Sequence, residues 1–214
     1  MEDGGEVVTG LHIPEHPVVS DRIRILRDAG TSPSEFRTAM KSLAPFLVYE
    51  AARGLPTVSG TVETPLGTAD ALHLRNEIVL YPILRAGLGL LEGALEVFPH
   101  ARVGLIGAYR DETTFRPIEY HISGPESLKG TDVFVLDPML ATGGSAEYAI
   151  ARIKERKPES IRLVSVIAAP AGVDRVRKAH PDVPIITAAL DPELNDRKFI
   201  VPGLGDAGDR FFGT

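Results

Sequence analysis

The residues best suited to chemistry lie between 137 and 145. The run is Asp137-Pro138-Met139-Leu140-Ala141-Thr142-Gly143-Gly144-Ser145, and it follows the apolar stretch Val133-Phe134-Val135-Leu136. Gly143 and Gly144 let the backbone close around a ligand. Amides at the start of a following helix, with the Thr142 and Ser145 hydroxyls, make a cradle for phosphate. Asp137, at the tip of a strand, reaches ribose hydroxyls or a metal-bound water. An ordinary helix cap needs one Ser or Thr and explains neither the second glycine nor the acid. The run is not a P-loop, since it holds no Lys. It is not a nucleophile elbow either, because G-x-S-x-G fails at Glu147.

Three further segments carry polar or glycine-rich patterns. Leu84-Arg85-Ala86-Gly87-Leu88-Gly89 follows another apolar run, Ile78 to Leu84. It approximates a dinucleotide fingerprint, with Asp111 near the end of the next strand, but its third glycine comes one place late, at Gly93. The alternatives are a backbone lip against an anion, with Arg85 adding charge, or close helix–sheet packing by Gly89 and Gly93. Arg110 to Arg116 reads as a solvated hairpin or as a lid that brings Arg110 over a polyphosphate. The ending, Phe199 to Thr214, places glycines at 203, 205, 208 and 213 beside Pro202, Ile200 and three phenylalanines. That pattern predicts an ordered loop whose backbone approaches a flat ligand, with Asp209 and Arg210 as a solvated pair. The six histidines have no metal-binding spacing, since Pro14 separates His12 from His16.

These residues need a scaffold. The runs at 78–84, 103–109, 133–136, 161–168 and 184–190 are mostly continuous apolar stretches, as expected of strands covered on both faces. Between them, Ala146, Ala149, Ile150 and Ile153 form one helix face, as do Leu91, Ala94, Leu95 and Phe98. Arg152, Lys154, Arg156 and Lys157 read as a helix's solvent side. Near the N-terminus, Ser20 is expected to cap a short helix. Ser32-Pro33-Ser34-Glu35 is a capping box with Pro in the first turn, and Pro45 is expected to kink or divide the helix that follows. Residues 56–75 read as short strands around the turn Pro65-Leu66-Gly67. The expected architecture is α/β: a mostly parallel sheet flanked by helices, with a small hood from N- and C-terminal segments. One domain spans 1–214, with a loose tail at 1–10, a core at about 78–190 and a hood at about 56–75 and 191–214.

Composition narrows the function classes. The chain has 214 residues, 43% hydrophobic and 24% charged, the balance of an ordinary globular protein. Cysteine is absent, which excludes a disulfide framework and a thiol nucleophile. The net charge of −6 argues against a nucleic-acid binder. No apolar run approaches the ~20 residues of a membrane span, and the acidic start is unlike a secretory leader, so a cytoplasmic location is expected.

The loop from Asp137 to Ser145 resembles the phosphoribosyl-diphosphate (PRPP) loop of type I phosphoribosyltransferases. Together with Pro82 to Gly89 and the ending from Pro202 to Thr214, it is similar to the uracil-using branch of that family. The resemblance runs from about His16 to the C-terminus. It departs from the wider family at Pro138, where a second acid is usual. The resemblance implies a transfer from PRPP to uracil, giving UMP and diphosphate. It places residues 137–145 on the 5-phosphate and ribose, and Arg85 and Arg110 on the diphosphate. Ile200, Gly205 and Ala207 would present backbone to the base, and Asp206 would contact PRPP. Arg110, Asp137 and Asp206 are the expected catalytic residues. Magnesium would arrive on the diphosphate, with no direct protein ligand. The resemblance further implies a homodimer or homotetramer and leaves open whether GTP activates it. Two rivals remain at this point: an RNA-binding regulator on the same fold, and a nicotinamide oxidoreductase using the Gly87 loop.

Overall fold

A computed structural model describes residues 10–110 and 117–214, with the described side chains excluding 108–110 and 117–120. The chain begins with β1 (Leu11–His12), α1 (Pro17–Arg27) and α2 (Pro33–Ala51). A hairpin of β2 (Thr57–Thr64) and β3 (Gly67–Leu74) follows, then β4 (Glu77–Leu84), α3 (Leu88–Val97) and β5 (Arg102–Val103). Next come β6 (Ile106–Arg110), β7 (Pro117–Ile122), β8 (Thr131–Leu136), β9 (Met139–Leu140) and α4 (Gly144–Lys154). The chain closes with β10 (Ser160–Ala168), α5 (Pro170–Ala179), β11 (Ile185–Leu190), β12 (Glu193–Leu194), β13 (Ile200–Val201) and α6 (Ala207–Phe212).

The main sheet runs β1-β11-β10-β8-β4-β6-β7, and every pairing in it is parallel except β6 with β7. Its central strands are buried on both faces, as their mostly apolar runs require, with Arg162 and Ser165 interrupting β10. Alternate side chains feed two cores. Ile78, Leu80, Phe134 and Leu136 face α1, α2 and α3, whereas Val79, Tyr81, Val133 and Val135 face α4 and α5. All four residues foreseen on α4, Ala146, Ala149, Ile150 and Ile153, are buried there.

The expectations for the helices held in part. The capping box at α2 is present: Ser32 Oγ accepts from the Glu35 amide, and Glu35 accepts from the Ser32 amide. Pro45 does not divide α2. Lacking an N–H, Pro45 leaves the Lys41 carbonyl without its usual helical donor, and Gly93 packs there. A Cβ on Gly93 would stand 2.3 Å from that oxygen. Helix α1 starts earlier than Ser20, because Pro17 occupies the first turn and His16 caps it by accepting from Val18 N at 3.2 Å. The strand expected at 103–109 is interrupted at Gly104, whose Cβ would fall 2.2 Å from the Tyr81 ring. Arg156 is not on a helix's solvent side. It lies past the end of α4 and donates to Tyr81 Oη at 3.0 Å and Pro125 O at 2.9 Å.

Residues 191–214 pack on α1 and α2 beside the strand ends, and Leu204, Ala207 and Phe211 join that core. The β2–β3 hairpin is exposed along almost its whole length. Among the described residues no helix is long and apolar enough to cross a membrane.

Candidate active site

Topology fixes where a ligand can enter. From β4 the chain proceeds outward to β6, whereas from β8 it proceeds to β10 on the opposite side. The crevice beyond the carboxyl ends of β4 and β8 is therefore the switch point at which open α/β sheets bind ligands. The loops at 84–89 and 137–145 flank it.

The second of these is built as the cradle requires. Gly143 stands before α4 at φ +76°, and a Cβ there would meet the Gly172 carbonyl at 2.8 Å. Gly143, at the N-cap of α4, offers the amides of the first turn no side-chain bond, as a phosphate cradle requires. Gly144 is less confined: its nearest neighbour would be Arg175 Nη1 at 3.4 Å. Arg175, held by Glu147, thus adds a cation beside the cradle that the sequence pattern did not point to.

Asp137 hangs from the end of β8, its amide donating to Val164 O at 3.0 Å. Its carboxyl is partly screened from water, and desolvation pushes it from 3.8 up to about 7 against a weak opposing bond from Met139 N. Between those values the unfolded chain has released this proton while the folded chain retains it. Stability therefore falls as pH rises, by up to about 1.36 kcal/mol per unit. Asp137→Asn should stabilise the fold at pH 8 by on the order of 1–3 kcal/mol, less than the full shift because the carboxyl is not sealed from water. Urea unfolding should show that gain shrinking towards zero near pH 4. An equal gain at both pH values would mean that Asn acts through packing.

The C-terminal loop faces the same crevice. Gly203 adopts φ +61°, where a Cβ would lie 2.1 Å from Ile200 O, and Gly205 adopts φ +80°. Asp206 caps α6, its Oδ1 accepting from the Asp209 amide at 3.0 Å. Ile200 and Ala207 are buried, whereas Gly205 and Asp206 are open to solvent. A cavity of about 230 Å³ joins the three motifs, lined among others by Ala86, Met139, Ile200, Gly205, Asp206 and Ala207. That is below the ~300–1,000 Å³ of drug-sized sites and suits a small flat ring. Larger clefts of about 510 and 470 Å³ lie elsewhere, one lined by α1 and α2, the other near Phe98 and Asn76. Neither touches any of the three motifs.

Gly87 seats the first loop on the sheet, since a Cβ there would meet Leu136 O at 2.5 Å and Ile83 N at 2.6 Å. Arg85 is exposed, 3.5 Å from Asp209 and 5.4 Å over the Phe212 ring. Gly89 and Gly93 serve helix–helix packing, not the helix–sheet packing that was one of the alternatives: they admit Met40, Phe211 and Ala44. Arg110 ends β6, but its side chain and the hairpin at 111–116 lie outside the described residues. Asp209 and Arg210 are not the pair foreseen. Asp209 faces Arg85, while Arg210 turns inward over the Phe36 ring at 4.5 Å. Asp191 and Arg27, a close pair beside Gly203, were not singled out from the sequence. The signal was there for Asp191, an acid just past the strand β11 as Asp137 is past β8.

The parallel sheet, with two glycine-bearing loops at its switch point, has the fold of the type I phosphoribosyltransferases. A hypoxanthine-guanine phosphoribosyltransferase from Bacillus anthracis shares the fold at a TM-score of 0.51 and 12% identity, covering 74% of this chain and 80% of its own. The chain belongs to the uracil phosphoribosyltransferase family, whose model matches residues 13–214. Uracil phosphoribosyltransferases of Dictyoglomus turgidum and Acidovorax ebreus are each 47% identical to it, over 94% and 97% of this chain and 98% and 100% of theirs. The AQ2163 protein of Aquifex aeolicus superposes at a TM-score of 0.90 with 40% identity, over 95% of this chain and 98% of its own.

Proposed function

We propose that this chain transfers the phosphoribosyl group of PRPP to uracil, giving UMP and diphosphate. The observation that carries the reading is the convergence of three loops on one small cavity: a phosphate cradle, an arginine-bearing lip and a glycine-rich backbone segment. A uracil nitrogen forms a bond to ribose C1 as the bond from C1 to the diphosphate oxygen breaks. The nitrogen's proton leaves to solvent, and negative charge moves onto the departing diphosphate. Catalysis of this kind rests on positioning and on charges aimed at the leaving group.

In this reading residues 137–145 hold the 5-phosphate and ribose, with Asp137 on the sugar. Arg85 and Arg110 meet the diphosphate, and Asp206 contacts PRPP. Ile200, Gly205 and Ala207 face the base. Among the described residues no three His, Cys, Asp or Glu side chains gather to hold a metal ion, and the loop offers one carboxylate followed by Pro138. Magnesium therefore fits as part of the substrate, bound by diphosphate oxygens and water. A cytoplasmic homodimer or homotetramer completes the reading, with GTP as a candidate activator.

The test is turnover by the purified chain with uracil, PRPP and magnesium. UMP and diphosphate should appear in equal amounts. No UMP, with either RNA binding or nicotinamide reduction in its place, would favour one of the rival readings.

A further inference from the structure

The loop proposed to face the base is fastened from outside by side chains that do not line its cavity. Arg27, on the last turn of α1, donates to Asp191 Oδ1 at 2.6 Å and Oδ2 at 2.7 Å. The same guanidinium donates to the Gly203 carbonyl at 2.9 Å, and the Gly203 amide donates to Asp191 Oδ2 at 2.8 Å. Both backbone groups of Gly203 are thus held by one ion pair, whose Asp191 side chain is only 6% exposed. Asp191 is itself anchored, its amide donating to Ala168 O at 2.8 Å at the end of β10.

A second arginine holds the next residue. Arg210 donates to the Leu204 carbonyl at 2.8 Å, to the Asp28 carbonyl at 2.6 Å and to the Leu26 carbonyl. Its guanidinium lies on the Phe36 ring. Leu26 and Asp28 flank Arg27, so the end of α1 is the plate to which both fasteners attach. The loop's hydrogen bonds at Gly203 and Leu204 run inward, which leaves Gly205 to Ala207 as the backbone turned to the cavity.

We infer that Arg27, Asp191 and Arg210 are positioning residues for base selection, fixing the backbone of residues 203–207 so that it matches one base edge. A backbone site has no side chain whose rotamer sets its accuracy, so accuracy must come from what immobilises the loop. Planar guanidinium forks suit this role because each spans several acceptors at fixed angles, which an ammonium group does not.

The inference rests on the reading that residues 200–207 face the base, and the test separates the two. Steady-state kinetics with uracil, cytosine and PRPP are measured on wild type, Asp191→Asn, Arg27→Lys and Ala207→Leu. Ala207→Leu crowds the cavity directly and should raise the uracil KM. Asp191→Asn and Arg27→Lys should raise the uracil KM about 10-fold or more, since a displacement of about 1 Å can cost up to ~10²-fold. The PRPP KM should stay within about 2-fold, and the preference for uracil over cytosine should fall. A merely structural role would lower the active fraction and leave both KM values and the base preference unchanged. Should Asp191→Asn not fold, Arg210→Lys carries the same expectation through Leu204. If Ala207→Leu raises the uracil KM but the folded positioning variants leave it and the base preference unmoved, the positioning role is overturned. If all of them leave it unmoved, the base loop itself is misplaced and the inference falls with it.

Discussion

Wild-type enzyme should use uracil roughly 10⁴–10⁵-fold more efficiently than cytosine, the range reached by sites that discriminate through hydrogen bonds. Uracil presents two carbonyl acceptors on either side of an N3–H donor. Cytosine carries an amino donor at C4 and an acceptor at N3, which reverses two of the three positions. A backbone edge from Gly205 to Ala207 offers amides and the Gly205 carbonyl in a fixed order, held by the bonds at Gly203 and Leu204, while the Asp206 carbonyl already accepts from the Arg210 amide. Against cytosine, two of those groups would face groups of their own polarity once the bound base has displaced water from the cavity. Each buried polar group left unpaired costs roughly 1–3 kcal/mol, so two mismatches, each involving a group on either side, reach the discrimination expected. Comparison of kcat/KM for the two bases checks it. Efficient turnover of cytosine would remove the backbone from its role in base choice.

Gly144→Val should lose PRPP binding while the fold survives. The structure supports the second half of that expectation directly. Gly144 sits at the first position of α4 without a left-handed φ, and its nearest obstacle is the movable end of Arg175 at 3.4 Å. Its neighbour Gly143 would not serve, because its φ of +76° and the Gly172 carbonyl forbid a side chain for structural reasons. A branched side chain at 144 fills the space in which phosphate meets the helix amides. Charge-assisted bonds contribute roughly 1.5–3 kcal/mol each, so losing two should raise the Kd for PRPP on the order of 10²–10⁴-fold. Titration calorimetry reads this, with circular dichroism confirming the fold. Unchanged affinity in folded protein would place the phosphate elsewhere.

The parts of this site that were legible in the sequence are those whose physics is local. The cradle at 137–145 follows the apolar run Val133 to Leu136 and precedes a helix with one apolar face, so composition alone fixes its setting. The glycines at 203 and 205 mark left-handed backbone, which only their lack of a Cβ allows. The capping box at Ser32 is likewise complete within four residues. What escaped is long-range. Arg27 meets Asp191 across 164 positions, and Arg210 binds the Leu26 carbonyl across 184. Arg210 looked solvated beside Asp209 because a chain of letters does not show a guanidinium turning inward onto backbone carbonyls. The partner of Gly93 escaped for a related reason. It is a carbonyl that Pro45 leaves without a donor on another helix, and nothing near Gly93 in the sequence announces it.

If the phosphate cradle and the base loop are two ends of one site, UMP should bridge them, and amide chemical-shift mapping of the wild-type chain titrated with UMP reads both ends at once. Shifts should concentrate at residues 143–146 and 203–208 and saturate together with a single affinity. Shifts confined to one of the two segments, or centred on the larger cleft lined by Arg22, Thr31 and Thr38, would contradict it.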